Sequence, residues 1–294
     1  MFLLWHIIFN SRSFYSMFPV ILEIGRIKIY SYGLMLALGF IVTGLIFRKE
    51  LKRVGLPVDF ADSIVIAALL GGIFGAKVYS VIEGIKEYGL SSLRDFFSGA
   101  GLVWYGGLIV GTIAVVITIK LKHQPILPII DLIGPLLILG YAFGRMGCFL
   151  SGDGDYGPPS DLPWAMAFPN GTVPTTERVH PTPLYEITMS LIAFAYLWKI
   201  RKKPRGPGFM FGMFLILSGV ERFIAEFWRL TAKVLFDVIT VAQITGVITM
   251  IIGIYLILRS RNIPPFVVPQ VVSESKESSK NKTSNKKGKK TKRH

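Results

Sequence analysis

Gly144-Arg145-Met146-Gly147-Cys148-Phe149-Leu150-Ser151-Gly152-Asp153-Gly154-Asp155-Tyr156-Gly157 begins where a long apolar run, Ile129 to Phe143, ends. An arginine and two aspartates therefore stand at the end of a hydrophobic span. A charge at membrane depth is costly, so it has a partner and a function by default. The glycines let backbone approach closely and take turns that other residues resist. A chain built this way can hold an anionic lipid headgroup beside the lipid's own acyl tails.

The rest of the chain agrees with a membrane setting. It is 51% hydrophobic and 17% charged, with a mean hydropathy of +0.52, which is too apolar for a soluble domain of this length. A hydrocarbon core of about 30 Å needs roughly 20 apolar residues per helix. The spans expected on that basis are Ser31–Phe47, Ser63–Ile82, Gly101–Ile119, Pro128–Phe143, Leu184–Leu197, Gly208–Phe227 and Val238–Leu258. The expected fold is an all-α polytopic integral membrane protein of about seven spans. The first, fourth and fifth are short, so six or eight spans stay open. Met1–Asn10 is apolar but lacks a basic start, so it reads as an interfacial segment or an overlong start, not as a cleavable signal peptide.

Charge divides the chain further. The net charge is +15, and the last segment is rich in Ser, Asn and Lys, with Lys276, Lys280, Lys282, Lys286, Lys287, Lys289, Lys290, Lys292 and Arg293 set against Glu274 and Glu277. Such a segment has too little apolar surface to fold by itself. It reads as a basic cytoplasmic tail beside anionic lipid, and nucleic acid is not an expected partner. Arg48, Lys49, Lys52 and Arg53 follow span one, Lys120 and Lys122 span three, Lys199 to Arg205 span five, and Arg259 and Arg261 span seven. By the positive-inside rule the N-terminus is outside and the C-terminus inside. Residues 1–30 are then an outer-side segment, 31–260 the transmembrane domain, and 261–294 the disordered inner tail. The long loop at about 148–181 faces outward between spans four and five.

Cys148 is the only cysteine, and His6, His123, His180 and His294 are scattered. No disulfide can form within the chain, and no metal-ligand spacing is present. Phosphate-binding, dinucleotide-binding and nucleophile-elbow motifs are absent in their required contexts. Cys148 reads as a small packing residue.

Besides the Arg145 segment, three constellations stand out. Val103-Trp104-Tyr105-Gly106-Gly107-Leu108 lies in span three. His180-Pro181-Thr182-Pro183-Leu184-Tyr185-Glu186 opens span five. Glu221-Arg222-Phe223-Ile224-Ala225-Glu226-Phe227-Trp228-Arg229 closes span six. On a helix Arg222, Glu226 and Arg229 share one face. That face is either an ion-pair ladder or a phosphate-binding arginine oriented by a glutamate, since the guanidinium fork suits phosphate oxygens. Tyr105 is either an interfacial belt residue or a site residue, and Gly106 and Gly107 permit close approach of backbone or substrate. His180 reads as a cap or hydrogen-bond partner more readily than as a base.

Taken together, these residues resemble the prolipoprotein diacylglyceryl transferase family. The family signature runs glycine, arginine, any residue, glycine or alanine, asparagine, phenylalanine, then asparagine and an acid before a further glycine. Gly144, Arg145, Gly147 and Phe149 match it. Tyr32-Gly33-Leu34, Gly106-Gly107-Leu108, His180-Pro181 with Leu184-Tyr185-Glu186, and Arg222-Phe223 with Glu226-Phe227 and Arg229 agree in order and spacing, so the resemblance covers roughly 18–260. The chain departs from the pattern at Cys148 and Ser151, where asparagines are usual, and at Tyr105, where histidine is common. The acid is Asp153, or Asp155 if one residue is inserted.

The resemblance implies a bacterial inner-membrane transferase that moves the diacylglyceryl group of phosphatidylglycerol to the lipobox cysteine of a prolipoprotein signal peptide. It needs no metal or organic cofactor. Carried over residue by residue, it implies catalytic roles for Arg145, Arg222, Tyr105, Asp153 and Glu226. It implies substrate contacts for Arg145, Arg222, Tyr32, Gly106, Gly107, His180 and Arg229. Arg145 and Arg222 supply charge to the leaving phosphate, Glu226 holds one of them, and Tyr105 or Asp153 assists proton removal. The alternatives are an anion or lipid transporter using the same arginines, which would show inverted repeats or broken helices, and an inactive lipid-binding relative. No internal repeat is evident.

Overall fold

A computed structural model of the chain describes residues 17–25, 27–89, 92, 103–231, 233–235 and 239–266. Met1–Asn10 and the basic tail from Lys276 onward lie outside them. Each expected apolar stretch becomes one long helix: α1 (Ser31–Val54), α2 (Asp59–Tyr88), α3 (Trp104–Leu121), α4 (Ile126–Ser151), α5 (Thr182–Ile200), α6 (Phe209–Ala225) and α7 (Val241–Ser260). Four of them, α1, α2, α4 and α7, are long and apolar enough to cross a bilayer by themselves. The outward faces of the helices are apolar: Leu70 is 61% exposed, Ile192 66% and Ile251 61%. In water such a surface would be an aggregation patch, and in lipid it is the solvent-facing side. The protein is therefore a mostly helical membrane protein.

The all-α expectation needs one addition. Among the described residues three antiparallel two-stranded hairpins also form: β1 (Val20–Ile24) with β2 (Ile27–Tyr30), β3 (Met166–Phe168) with β4 (Thr175–Val179), and β5 (Lys233–Leu235) with β6 (Ile239–Thr240). Each precedes a helix. The β3–β4 hairpin closes one end of the bundle over a small cluster in which Phe168 and Val179 are buried with Met17 against Phe149 and Tyr156.

Helix boundaries differ from the spans for local reasons. Helix α4 runs to Ser151, so Cys148 to Ser151 are helical and not the start of a loop. It stops where Gly152 takes a left-handed conformation (φ +56°) and donates its N–H to the Cys148 carbonyl, 3.0 Å away. This is the usual way a helix end satisfies its last carbonyls. Helix α7 starts on a capping box: Thr240 Oγ1 accepts from the Gln243 N–H, and Gln243 Oε1 accepts from the Thr240 N–H. Helix α6 has no cap of its own. Asp131 of α4 reaches across to accept the N–H groups of Gly208 (2.7 Å) and Phe211 (2.8 Å). Helix α6 ends at Ala225, a 3-10 turn covers Glu226–Trp228, and Arg229 is extended. The expected single helical face for Arg222, Glu226 and Arg229 is thus broken before Arg229.

Two cores hold the helices. Phe47 and Leu51 of α1 meet Phe60 and Ile64 of α2, Ile119 of α3, and Ile129 and Leu136 of α4. Ile138 of α4 packs with Ala193 and Leu197 of α5 and Met210 of α6. At that end of the bundle the buried Glu50 joins Arg53 (2.7 Å) and Arg201 (3.1 Å), and Arg201 also lies over the Trp198 ring.

Helix pairs approach through glycine. A Cβ on Gly106 would fall 2.3 Å from the Gly75 carbonyl oxygen, and one on Gly107 would fall 3.0 Å from that of Gly72. Gly212 faces Gly253 and Gly219 faces Gly246 in the α6–α7 pair. Backbones this close gain dispersion contact that lipid cannot match. The space that a side chain at Gly106 or Gly107 would need is therefore taken by α2. Gly106→Val should lower stability by about 1–3 kcal/mol, the usual cost of overpacking, seen as a lower melting temperature in detergent. A Gly106→Val protein as stable as the parent would show that the α2–α3 contact can part freely.

Candidate functional site

The end of α4, the start of α5 and the end of α6 meet at one level of the bundle, and every charge there comes from one of these helix ends or the segments beside them. Glu186, in the second turn of α5, has no exposed surface. Three guanidinium groups surround its carboxylate. Arg145 Nε stands 3.3 Å from Oε2, while Arg229 Nη1 and Arg222 Nη1 stand 3.5 and 3.6 Å from Oε1. Tyr141, one turn before Arg145 on α4, donates its hydroxyl proton to Oε1 at 2.8 Å. The Tyr141 ring also lies under the Arg145 guanidinium, 4.9 Å from its centroid.

A second carboxylate completes the cluster. Asp155, in the loop after α4, bridges two of the arginines. Its Oδ2 pairs with Arg145 Nη1 and its Oδ1 with Arg229 Nη2. Asp155 is fixed through its backbone, because Thr182 Oγ1 donates to the Asp155 carbonyl. Three guanidiniums thus face two carboxylates, and the cluster keeps a positive bias that suits an anion. Arg222 is the most open of the three, with a third of its side chain exposed.

Asp153 lies beside this cluster and accepts the Asp155 N–H at 3.3 Å. Burial raises its carboxyl above the ordinary carboxylate range, opposed by its hydrogen bond with the Cys148 thiol. That shift moves its basicity toward what a proton acceptor needs. Cys148 Sγ and the carboxylates of Asp153 and Asp155 lie within 4.8 Å of one another. The sequence reading had no cysteine-based metal set here. The grouping does not suit a cation, because both Asp155 oxygens already hold arginines. Deeper in the bundle, Glu221 of α6 accepts the Ser190 hydroxyl at 2.6 Å. Glu226 is 5% exposed, and among the described residues neither of its oxygens has a hydrogen-bond partner.

Comparison with known proteins gives the family. A profile of the prolipoprotein diacylglyceryl transferase family matches residues 19–259. The chain belongs to this family. The phosphatidylglycerol–prolipoprotein diacylglyceryl transferase of Clostridium tetani is 36% identical over 242 residues, covering 81% of this chain and 96% of the relative. The enzymes of the same name from Chromohalobacter salexigens and Stenotrophomonas maltophilia are 32% and 30% identical, over 84% and 85% of this chain and 93% and 94% of their own lengths.

Against this family background, the structure sorts the residues singled out in the sequence. Arg145, Arg222 and Arg229 converge on one carboxylate. Tyr32, in the first turn of α1, packs on Gly147, where an added Cβ would fall 3.1 Å from Tyr32 Cδ2. Asp153 joins the edge of the cluster through Asp155. Among the described residues Glu226 pairs with no arginine, whereas Glu186 pairs with three. Tyr105 stands at the start of α3, 47% exposed, on a helix paired with α2. His180 fastens the loop: its Nδ1 lies 3.1 Å from the Tyr185 hydroxyl, which also accepts from Trp164 Nε1 at 2.7 Å. Trp228 stacks edge-on against Tyr185.

Sequence reasoning missed Glu186 as the hub, although it quoted the residue. The signal was present: a glutamate inside an expected span needs a cation. Tyr141 and the pairing role of Asp155 had no such signal, because helix rotation and loop path decide them. Glu186→Gln should cost about 3–5 kcal/mol, as expected when one partner of a buried ionic group is removed. Denaturation in detergent measures it, with the exposed Asp161→Asn as control; equal stability of the two variants would remove Glu186 from its central place.

Proposed function

We propose that the arginine cluster is the phosphate-binding and charge-stabilising centre of a phosphatidylglycerol–prolipoprotein diacylglyceryl transferase reaction. The observation that carries this reading is the convergence of three guanidiniums at one end of a lipid-facing bundle, in a chain matched to the family over nearly its whole helical length. A phosphodiester lying there receives fixed positive charge in a low-dielectric site without reorganisation during the reaction.

The chemistry is a substitution at carbon. The lipobox cysteine thiol of a prolipoprotein signal peptide loses its proton, since the thiolate is the nucleophile. It attacks the glyceryl carbon that bears the phosphate ester in phosphatidylglycerol. The carbon–oxygen bond breaks, a thioether forms, and glycerol phosphate leaves with the bonding electrons. Arg145, Arg222 and Arg229 meet the charge gathering on the leaving phosphate. Glu186 and Tyr141 hold their forks in place. Asp153 is positioned for proton transfer, and Tyr105 offers a hydroxyl that can donate or accept. Glu226 supplies two buried acceptor oxygens that suit the hydroxyls of the glycerol headgroup. Tyr32 lines the approach to Arg145. The diacyl substrate and the signal peptide both reach the cluster from within the membrane plane.

The topology proposed for this enzyme has seven spans, the N-terminus outside, and the cluster with loop 152–181 at the outer face. Residues 1–30 form an outer segment, 31–260 the catalytic domain, and 261–294 a basic inner tail. This orientation rests on the basic residues in and just after the last turns of α1, α3, α5 and α7. The setting is the bacterial cytoplasmic membrane.

Purified protein incubated with labelled phosphatidylglycerol and a lipobox peptide tests the reaction directly. Arg145→Lys and Arg222→Lys keep the charge but lose the fork. Each is expected to slow transfer about tenfold or more, from ~1.4 kcal/mol of lost transition-state stabilisation; parental turnover by a folded Arg145→Lys enzyme would exclude the phosphate role. Orientation is tested separately by single cysteines in the Asp161–Thr172 loop of a Cys148→Ala protein. Membrane-impermeant maleimide should label them in intact cells, whereas labelling only after permeabilisation would invert the topology.

A further inference from the structure

The two oxygens of Asp155 lie where two oxygens of a phosphate would lie. One pairs with Arg145 and the other with Arg229. Bidentate and bridging contacts of this kind are the ones guanidinium groups make equally with carboxylate and phosphate. The two acids of the cluster are not alike. Glu186 has no exposed side-chain surface, is held by three arginines, and receives the Tyr141 hydroxyl. Asp155 keeps 29% of its side chain exposed and, among the described residues, its carboxylate receives two guanidiniums. Its backbone is pinned on both sides, by Thr182 at the Asp155 carbonyl and by the Gly157 N–H to the His180 carbonyl at 2.8 Å. Trp228 covers Gly157 so closely that an added Cβ would fall 2.1 Å from the Trp228 carbonyl oxygen. The loop cannot retreat as a unit, but the side chain can turn away about its own bonds.

We propose that Asp155 is the resident counter-ion of the phosphate subsite, and that the subsite lies between Arg145 and Arg229. The lipid phosphate enters by exchange with the Asp155 carboxylate, which swings toward solvent. The proposal rests on the reading of the cluster as a phosphodiester site and adds which pair of arginines takes it and what leaves. Geometry supports exchange over addition. The Asp155 carboxylate already occupies Arg145 Nη1 and Arg229 Nη2, so a phosphate can pair with those nitrogens only by taking its place. A phosphodiester carries one negative charge, as does the carboxylate, so exchange leaves the buried ionic balance unchanged. Asp155 also gives Arg145 and Arg229 a second anion besides Glu186 in a site where they are only 14% and 13% exposed. The counter-ion thus competes with substrate, and its removal should tighten lipid binding.

Two measurements on the full chain in maltoside micelles test this. In the first, phosphatidylglycerol is titrated into the parent, Asp155→Asn and Asp155→Ser proteins. Removing the internal competitor should tighten binding about fivefold, since apparent affinity scales with the fraction of protein whose subsite is free. Binding that is weaker or unchanged in the variants would show that Asp155 supports the bound phosphate rather than giving way to it. The second uses the parent protein alone and is independent of how the variants fold. Carbodiimide coupling of an amine to Asp155, read by peptide mass, should rise severalfold when phosphatidylglycerol is added. Protection of Asp155 by the lipid overturns the exchange. Inorganic phosphate is run in parallel: release by both ligands, or by the lipid alone, supports the exchange and tells whether acyl chains are needed to bring the phosphate in. Failure of every form to bind the lipid would overturn the functional reading as well, whereas binding with Asp155 labelling and affinity both unmoved overturns only the exchange.

Discussion

A carboxylate without solvent contact, placed where membrane helices end, needs cations fixed against it. Glu186 meets that condition with three arginines from three different segments. The same condition works in reverse. Arg145 and Arg229 are themselves largely covered, and each needs an anion in reach. The ends of α4, α5 and α6 are therefore held together by mutual neutralisation as well as by apolar packing. Such a cluster adds little net stability compared with an apolar core of equal volume, because desolvation offsets most of the attraction. What it secures is a set of guanidinium forks held in place before any ligand arrives.

The remainder of the bundle supports that placement. Asp131 caps α6 at the opposite end from Arg222, so the helix is tied to α4 near its start and meets α4 and α5 again at its finish. Glu50 and Arg201 tie α1 to the end of α5, which leaves α5 fixed at both ends too. The aromatic group of Trp164, Tyr185 and Trp228 fastens the loop and the 3-10 turn over the cluster. Function asks for a rigid cationic site with an approach from lipid, and the ties at both ends of α5 and α6 provide the rigidity.

The helices were legible because membrane spans announce themselves by length and apolarity, and the block around Arg145 was legible because a charge there demands an explanation. The partners of that charge were much less so. Arg222, Glu226 and Arg229 have helical spacing, and a uniform helix would have put them on one face; the 3-10 turn at Glu226 is a tertiary outcome that spacing cannot report. Gly106 and Gly107 carry the same residue types whether a substrate or another helix comes close, and only the fold shows Gly75 and Gly72 against them. The short hairpins were invisible against the strong apolar signal of the helices they precede. Asp155 was seen only as a second choice for the family's acid, since the path of the loop after Gly152 determines which aspartate faces the arginines.

The glycine contacts of α6 and α7 carry a consequence for how such a chain can diverge. Gly212 meets Gly253, Gly219 meets Gly246, and the two contacts are seven residues apart on each helix. One residue inserted between them on either strand of the pair would rotate everything beyond it by about 100°. One of the two contacts would then meet side chains instead of bare backbone. Drift in length is therefore barred from this part of the chain and pushed into the connections away from the cluster. The pair behaves as a ratchet with two teeth: it tolerates substitution along its lipid face and refuses any change of register.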